Sequence, residues 1–350
     1  MSSSTELTPS APEAGRAVAL AAVGAILLLL LVGALVTYKA TGAMAAMAKA
    51  RATGSLAPKL GWLAVQDFPN WLKPLAGTIN YFSWVFVALA FGVLIGAATS
   101  AWIPDRWHAR TLGGGGVRGP LMGALMGAPL MLCSCCVLPV FEGVYGRTRR
   151  LGPALALMLA APALNPFAHA LTFLLFPADI AVARLVASLF LVLGGSAGLA
   201  LLIKDPAAAD RCSMELSPPS VRGMMRALGR SLAKVASRSL PAVLVGVVAS
   251  VTLSQAVPIS SIGLSHGAAT TFLTIAVALL VAFPTFGEIP IALALLAAGA
   301  PKAAALGVLI AGPAINLPSL LGLKRSVSPR AAVLVALAVF ATCAIAGAVV

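Results

Sequence analysis

Three cysteines, Cys133, Cys135 and Cys136, lie within four residues of one apolar stretch. Thiolate sulfur is a soft ligand that selects soft metal ions, and the same chemistry makes it a ligand for trivalent arsenic. Pro129 and Pro139 bracket the place where the chain can leave helical geometry, so that the three sulfur atoms can converge. The pattern predicts transient ligation of a soft metal or metalloid cargo by these thiols. The alternative is that they are small apolar packing residues.

A second proline-rich interruption follows, and both interruptions recur 151 residues later in the chain. The residues in register are, as pairs, Ser134 and Thr285, Pro139 and Pro290, Pro162 and Pro313, and Asn165 and Asn316. Interrupted apolar segments in corresponding halves are typical of a transporter binding site. We therefore predict that Ser134, Asn165 and Asn316 bind substrate together with the thiols. The predicted structural breaks are Pro129, Pro139, Pro162, Pro166, Pro284, Pro290 and Pro313.

Two carboxylates, Glu142 and Glu288, lie inside apolar runs. An intramembrane carboxylate indicates a functional site, often a proton relay. We predict that Glu288, which lies deep in its segment, couples transport to protons. Glu142 is the second candidate, although it could instead pair with Arg147. The lone histidines, His169 and His266, and the remaining cysteines, Cys212 and Cys343, are expected to be structural or inert.

The composition indicates a membrane protein: 60% of the 350 residues are hydrophobic and 10% are charged, and the mean hydropathy is +1.00. The net charge of +14 does not indicate nucleic-acid binding, because the basic residues lie between apolar runs. They indicate instead the orientation of the chain in the membrane and contacts with lipid headgroups. No nucleotide-binding GxxxxGK[ST] loop is present, so the chain supplies no ATPase of its own. We expect no cofactor and no disulfide framework.

The order of apolar and polar stretches divides the chain into six segments. They are a disordered tail (1–16), an extra transmembrane helix (17–38), an interfacial connection (39–78), a first permease repeat (79–203), a basic cytoplasmic loop (204–238) and a second repeat (239–350). In the basic loop, positive residues recur every four positions from Arg222 to Arg238, which predicts a helical face against anionic headgroups. Gly92 and Gly96, and later Gly119, Gly123 and Gly127, are spaced for close helix packing.

The fold prediction is an all-α, polytopic membrane protein with two repeated halves. Residues 119–148 and 268–300 either cross the membrane fully or form re-entrant hairpins. Hairpins leave an odd number of crossings in each half and therefore invert the repeats, and we favour them because most of the basic loops then lie in the cytoplasm. An inverted pair would bring Asn165 and Asn316 close together across a two-fold axis in the membrane plane.

The two motifs together resemble a predicted bacterial permease family of the YraQ and ArsP type, which includes an organoarsenical efflux permease. The matching residues are Pro129, Leu130, Cys133, Ser134, Cys135, Pro139, Pro162, Asn165 and Pro166. The resemblance covers roughly residues 80–345. One departure is Cys136, which stands where the family pattern has glycine. The resemblance implies a permease, and organoarsenical export as one of the activities found in the family.

The leading functional prediction is a multi-pass permease of the bacterial inner membrane, not an enzyme. It would be a secondary exporter of a soft metal, a metalloid or a trivalent organoarsenical, with the lipid bilayer and the cargo as its partners. One alternative is a permease for an unrelated small solute, with structural cysteines. The other is an intramembrane thiol oxidoreductase, because Cys133 and Cys136 form a C-x-x-C pattern. The sequence leaves the oligomeric state open.

Overall fold

The computed structural model describes residues 11–56, 61–104, 107, 111–112, 116–203, 220–257 and 268–350, without side-chain burial before residue 19. Every regular element in these ranges is helical, which confirms the predicted all-α class. Several sequence predictions lie outside the described residues. They concern the first ten residues of the tail, the loop residues Arg106, Arg110 and Gly113–Gly115, residues 204–219 of the basic loop with Cys212, and His266.

The chain forms fourteen α-helices within the described ranges. In the first half they are α1 (Ala11–Thr53), α2 (Lys73–Trp102), α3 (Arg118–Gly127), α4 (Ser134–Thr148), α5 (Leu151–Ala163), α6 (Pro166–Leu175), α7 (Ala178–Phe190) and α8 (Ser196–Leu202). In the second half they are α9 (Val221–Ala256), α10 (Ala268–Ala278), α11 (Glu288–Ala297), α12 (Lys302–Ala314), α13 (Leu317–Ser326) and α14 (Pro329–Val349). Short 3-10 turns lie at Val65–Asp67 and Ala128–Leu130, and a π-helical turn at Leu191–Gly195 joins α7 to α8.

Helix boundaries recur at the same spacing as the sequence motifs. Helices α5 and α12 begin and end 151 residues apart, as do α6 and α13, and α7 and α14 begin at that spacing. The shared boundaries have a local cause. A proline near the end of α5 and of α12 precedes an asparagine that caps the next helix. The inverted two-fold relation between the halves stays a prediction.

Six helical segments in the described part of the chain are long and apolar enough to cross a membrane, and α12 with α13 makes a seventh if this pair, bent by 44°, is one span. The chain is therefore a multi-pass membrane protein. Helices α10 and α11 have 11 and 10 residues, so each reaches only about 15 Å, half of the roughly 30 Å apolar core. That length suits a re-entrant hairpin, which stays a prediction.

Two helices extend beyond the apolar runs that predict them. Helix α1 continues past residue 38 through an alanine- and methionine-rich segment of high helix propensity. It ends at Thr53, where Gly54 has a φ of 64°. Helix α9 begins at Val221, capped by the Ser220 hydroxyl. The basic positions of the predicted loop therefore lie, exposed, on the first half of a 36-residue helix.

Close backbone packing joins the broken helices to their neighbours. A Cβ on Gly92 of α2 would lie 2.2 Å from the carbonyl oxygen of Cys136, and one on Gly96 would lie 2.2 Å from that of Pro139. Gly123 and Gly127 of α3 meet the backbone of α5 at similar distances. The glycine spacing thus sets helix contacts, as expected for small residues at membrane helix interfaces.

We expect Gly92→Ala to lower the unfolding temperature of the purified protein in detergent. The added methyl group must push α4 away from α2, which costs about 1–3 kcal/mol for an overpacked contact. Gly33→Ala in α1 is the control, because no atom lies within 4 Å of its Cβ position. The measurement is the monodisperse fraction after heating. Equal midpoints for the two variants would contradict the packing argument.

Candidate functional site

The chain break at the cysteine motif lies before the thiols. Helix α3 gives way to the Ala128–Leu130 turn, Met131 has a left-handed φ of 51°, and Cys133 is extended where it precedes α4. Pro139 lies inside α4, so the predicted break at this proline is corrected. A proline removes one helical hydrogen bond, and a membrane helix tolerates this loss where neighbours such as α2 pack against it.

The extended Cys133 brings three sulfur atoms together. Its Sγ lies 2.6 Å from that of Cys136 and 3.3 Å from that of Cys135. The three Sγ atoms all lie within 4.8 Å of one another. The Tyr81 hydroxyl, from α2, lies 3.1 Å from the Cys135 Sγ. This cluster, which we call the thiol cluster, is buried, and its three sulfur atoms are a donor set that suits a soft metal or metalloid atom.

Cys133 borders a small cavity inside a region of roughly 280 Å³ that includes open solvent. Both halves of the chain line this cavity, at residues that correspond at the offset of 151. The corresponding pairs are Leu132 and Phe283, Cys133 and Pro284, Ser134 and Thr285, and Pro162 and Pro313. Asn165 and Glu288 also contribute to the wall. We call this space the central cavity. It is lined by Cys133, Ser134, Asn165 and Glu288 of the predicted binding and coupling residues, whereas Cys135, Cys136, Asn316 and Glu142 are not among its described lining residues.

The two predicted asparagines cap helices. Asn165 Oδ1 accepts hydrogen bonds from the backbone N–H groups of Phe167 and Ala168, at the start of α6. Asn316 Oδ1 accepts from the N–H of Ser319, at the start of α13, and its Nδ2 is buried without a partner among the described residues. Asn165 lines the central cavity, whereas Asn316 is not among the described lining residues.

The other predicted break prolines stand at helix ends or between helices. Pro129 lies in the 3-10 turn before the thiols and Pro284 in the interruption before α11. Pro166 is the first residue of α6, and Pro290 lies in the first turn of α11. Backbone N–H groups in a first turn have no acceptor within the helix, so a proline there costs no helical hydrogen bond. Pro162 and Pro313 are each the last residue but one of a helix.

Glu288 forms a buried ion pair with Arg184. The Arg184 Nη2 lies 2.9 Å from the Glu288 Oε1, and the two side chains are 0% and 3% exposed. Arg184 Nη1 donates to the Thr172 hydroxyl at 2.5 Å. The pair connects α7, in the first half, to α11, in the second. Sequence reasoning missed Arg184, although a lone arginine in an apolar helix is itself a functional signal.

Glu142 lies away from the central cavity. It hydrogen-bonds to Ser326 of α13 and lines a second pocket with Lys234 and Arg238 of α9. The two carboxylates of the sequence analysis therefore belong to different places in the fold. His169 also has a local partner, since its Nε2 lies 2.9 Å from the Ala163 carbonyl, next to the break between α5 and α6.

One further charged side chain reaches the cavity wall. Lys39 of α1 donates from its Nζ to the Thr285 hydroxyl at 3.0 Å. By sequence, Lys39 lies in the predicted connection 39–78, outside the predicted repeats. Its only sequence signal is that it ends a long uncharged run.

Removing one member of the buried pair should destabilise the protein strongly. We expect Arg184→Gln to cost about 3–5 kcal/mol, because it leaves the Glu288 charge uncompensated. A double variant with methionine at both positions should cost less than the single change. The matched control is Lys302→Gln, which breaks an exposed ion pair, since its partner Asp179 is 43% exposed. This variant should unfold at the same temperature as the unchanged protein. The measurement is thermal unfolding in detergent, and a double variant worse than the single one would contradict the pairing.

Comparison with known proteins identifies the family of this chain. Residues 78–350 match the profile of a family described as a predicted permease, ArsP_1. The chain is 30% identical to the UPF0718 protein YraQ of Escherichia coli strain K12, over 77% of this chain and 78% of that protein. It is 28% identical to the UPF0718 protein MJ0584 of Methanocaldococcus jannaschii, over 30% of this chain and 28% of that protein. No solved structure matches. The chain therefore belongs to the ArsP_1 family of predicted permeases.

Proposed function

We propose that this permease is a secondary exporter of a soft, thiol-reactive cargo: a soft metal, a metalloid or a trivalent organoarsenical. The observation that carries the proposal is the thiol cluster, whose three sulfur atoms lie within 4.8 Å of one another. Cys133 connects the cluster to a cavity lined by both halves. A transporter needs its cargo site at such a junction, because movement of one half against the other then exposes the site to alternate sides.

Trivalent arsenic with one organic group offers two exchangeable positions. Each As–S bond forms when a thiol displaces a hydroxyl group from arsenic, and the thiol proton leaves with that hydroxyl as water. Two of the three cysteines suffice to hold the cargo. The third sulfur could then attack arsenic and displace one of the first two, which takes up the proton of the attacking thiol, as in thiol–disulfide exchange. The cargo leaves when two water molecules displace the remaining sulfurs, which restores two hydroxyl groups on arsenic and returns a proton to each thiol. No electron transfer is needed.

Other cavity residues would orient the cargo and complete its binding site. The Ser134 hydroxyl and the Asn165 amide lie on the wall beside Cys133. They could hydrogen-bond to oxygen or nitrogen substituents on the cargo. Asn316 would act indirectly, by fixing the start of α13 in the second half.

Glu288 is the proposed proton-coupling residue, and it acts together with its ion-pair partner Arg184. An ion pair at membrane depth is stable only while both charges are present, because an isolated buried charge is costly. A proton arriving from the cavity at Glu288 would neutralise the carboxylate and weaken its hold on Arg184. Because the pair connects α7 to α11, such a proton would loosen a contact between the halves. Glu142 in the second pocket is the alternative proton site.

A thiol oxidoreductase is the second candidate function. The observation that favours it is the 2.6 Å approach of the Cys133 and Cys136 sulfur atoms. A disulfide between them would release two electrons and two protons, which an external disulfide or quinone would have to accept. Exchange with such an acceptor would leave the protein oxidised, whereas cargo capture leaves its thiols at the same oxidation level.

The proposed location is the inner membrane of a bacterium. The exposed basic face of α9, from Arg222 to Arg238, would then lie against anionic headgroups on the cytoplasmic side. The same orientation places the second pocket near that surface, because Lys234 and Arg238 line it.

Cysteine variants test the proposed site. We expect Cys133→Ser and Cys135→Ser each to abolish resistance of an arsenical-sensitive host, because each removes a sulfur ligand. Cys136→Gly should be milder, because it restores the glycine of the family pattern and keeps the pair Cys133 and Cys135, the two thiols of that pattern. The controls, Cys343→Ser and Cys212→Ser, should confer full resistance. The measurement is growth across a concentration series, with membrane abundance determined for each variant. Full resistance from the triple serine variant at normal abundance would contradict the proposal.

A Glu288→Gln variant tests the coupling. In vesicles with an imposed pH gradient, we expect the variant to lose gradient-driven cargo movement, because glutamine cannot exchange a proton. The control is Asp179→Asn, an exposed carboxylate on α7, which should retain the rate and its pH dependence. Glu142→Gln tests the alternative proton site in the same assay. Unchanged, pH-dependent transport by Glu288→Gln would rule out this carboxylate as the coupling residue.

A further inference from the structure

Helix α1 lies outside the family match, and its Lys39 side chain places a positive charge at the wall of the central cavity. Helix α1 precedes residue 78, where the match begins, and it packs against α2, α6 and the Ala128–Leu130 turn. Residues 17–38 of this helix contain no charged side chain, and Lys39 follows them directly. The Lys39 ammonium is partly buried and donates to Thr285. Thr285 lies on the same cavity wall as Cys133.

The charge of Lys39 is not matched by a carboxylate at this cavity among the described residues. Glu288, which lines the cavity, is already paired with Arg184. Thr285, the hydrogen-bond partner of Lys39, is neutral. A lysine that is withdrawn from water without a counter-ion gives its surroundings a positive potential. Within the described part of the chain, the cavity therefore combines the Cys133 thiol with one positive charge that no carboxylate neutralises.

We propose that Lys39 determines cargo specificity by selecting molecules that carry an anionic group beside their thiol-reactive atom. The inference rests on the proposed function, since the thiol cluster would hold the reactive atom. The lysine side chain has four rotatable bonds and can turn from the neutral Thr285 hydroxyl to a carboxylate on the cargo.

The competing role for Lys39 is a tether that fixes α1 to the interruption before α11. A tether would affect stability and the affinity for every cargo alike. A specificity residue would change the ratio of affinities for two cargoes that differ only in charge. That ratio separates the two roles, because any general disturbance of the cavity cancels from it.

The experiment compares 4-carboxyphenylarsonous acid with 4-methylphenylarsonous acid. Binding to the purified full-length protein is measured by equilibrium dialysis, with protein-bound arsenic determined by mass spectrometry. We expect the unchanged protein to prefer the carboxylated probe by roughly tenfold, within the range of partly desolvated charge pairs. Lys39→Met should remove the preference, Lys39→Glu should reverse it, and Lys39→Arg should retain it. Lys49→Met, an exposed lysine on the same helix, is the control and should leave the ratio unchanged.

The outcomes separate this inference from the proposed function. If the triple serine variant of the thiol cluster loses both probes but Lys39→Met leaves the ratio unchanged, the thiol site stands and the role of Lys39 is overturned. If the serine variant still binds both probes and the ratio of their affinities depends on Lys39, charge selection by Lys39 is supported and the proposed thiol site is refuted. If the unchanged protein binds neither probe, both are overturned.

Discussion

The structure depends on satisfying the backbone groups that are freed where helices break inside an apolar environment, because lipid offers them no partners. Each interruption is repaired by side chains. Asn165 and Asn316 cap the helices that follow the prolines, and His169 lies against the carbonyl of Ala163. The Ser250 hydroxyl accepts a hydrogen bond from the N–H of Ala282, just before the interruption that carries Pro284. Polar groups are thereby concentrated at the positions where the two halves meet.

A cavity follows from that repair, because broken helix ends cannot pack as closely as continuous helices. The first half contributes Cys133 of the thiol cluster to its wall, and the second half contributes Glu288. The Arg184–Glu288 pair then joins the halves beside the cavity. In the proposed mechanism, the thiol cluster binds the cargo and the Arg184–Glu288 pair responds to protons, so that movement of one half against the other could change both sites at once.

Local signals in the sequence predict much of this arrangement. The boundaries of α5, α6, α12 and α13 follow from proline and asparagine at fixed spacing, because capping and proline effects act within a few residues. Packing between distant helices carries no such local signal. Pro139 remains helical because α4 lies against α2, and Lys39 and Arg184 each appear as one charge beside or within an apolar run. Their partners, Thr285 and Glu288, lie 246 and 104 residues further along the chain.

The central claim is that the three sulfur atoms bind the cargo atom. X-ray absorption spectroscopy at the arsenic edge measures this directly, on the purified protein loaded with one equivalent of a trivalent aryl arsenical. The account predicts two or three sulfur neighbours of arsenic, replaced by oxygen in the variant with serine at Cys133, Cys135 and Cys136. Arsenic that retains only oxygen and carbon neighbours in the unchanged protein would contradict the account.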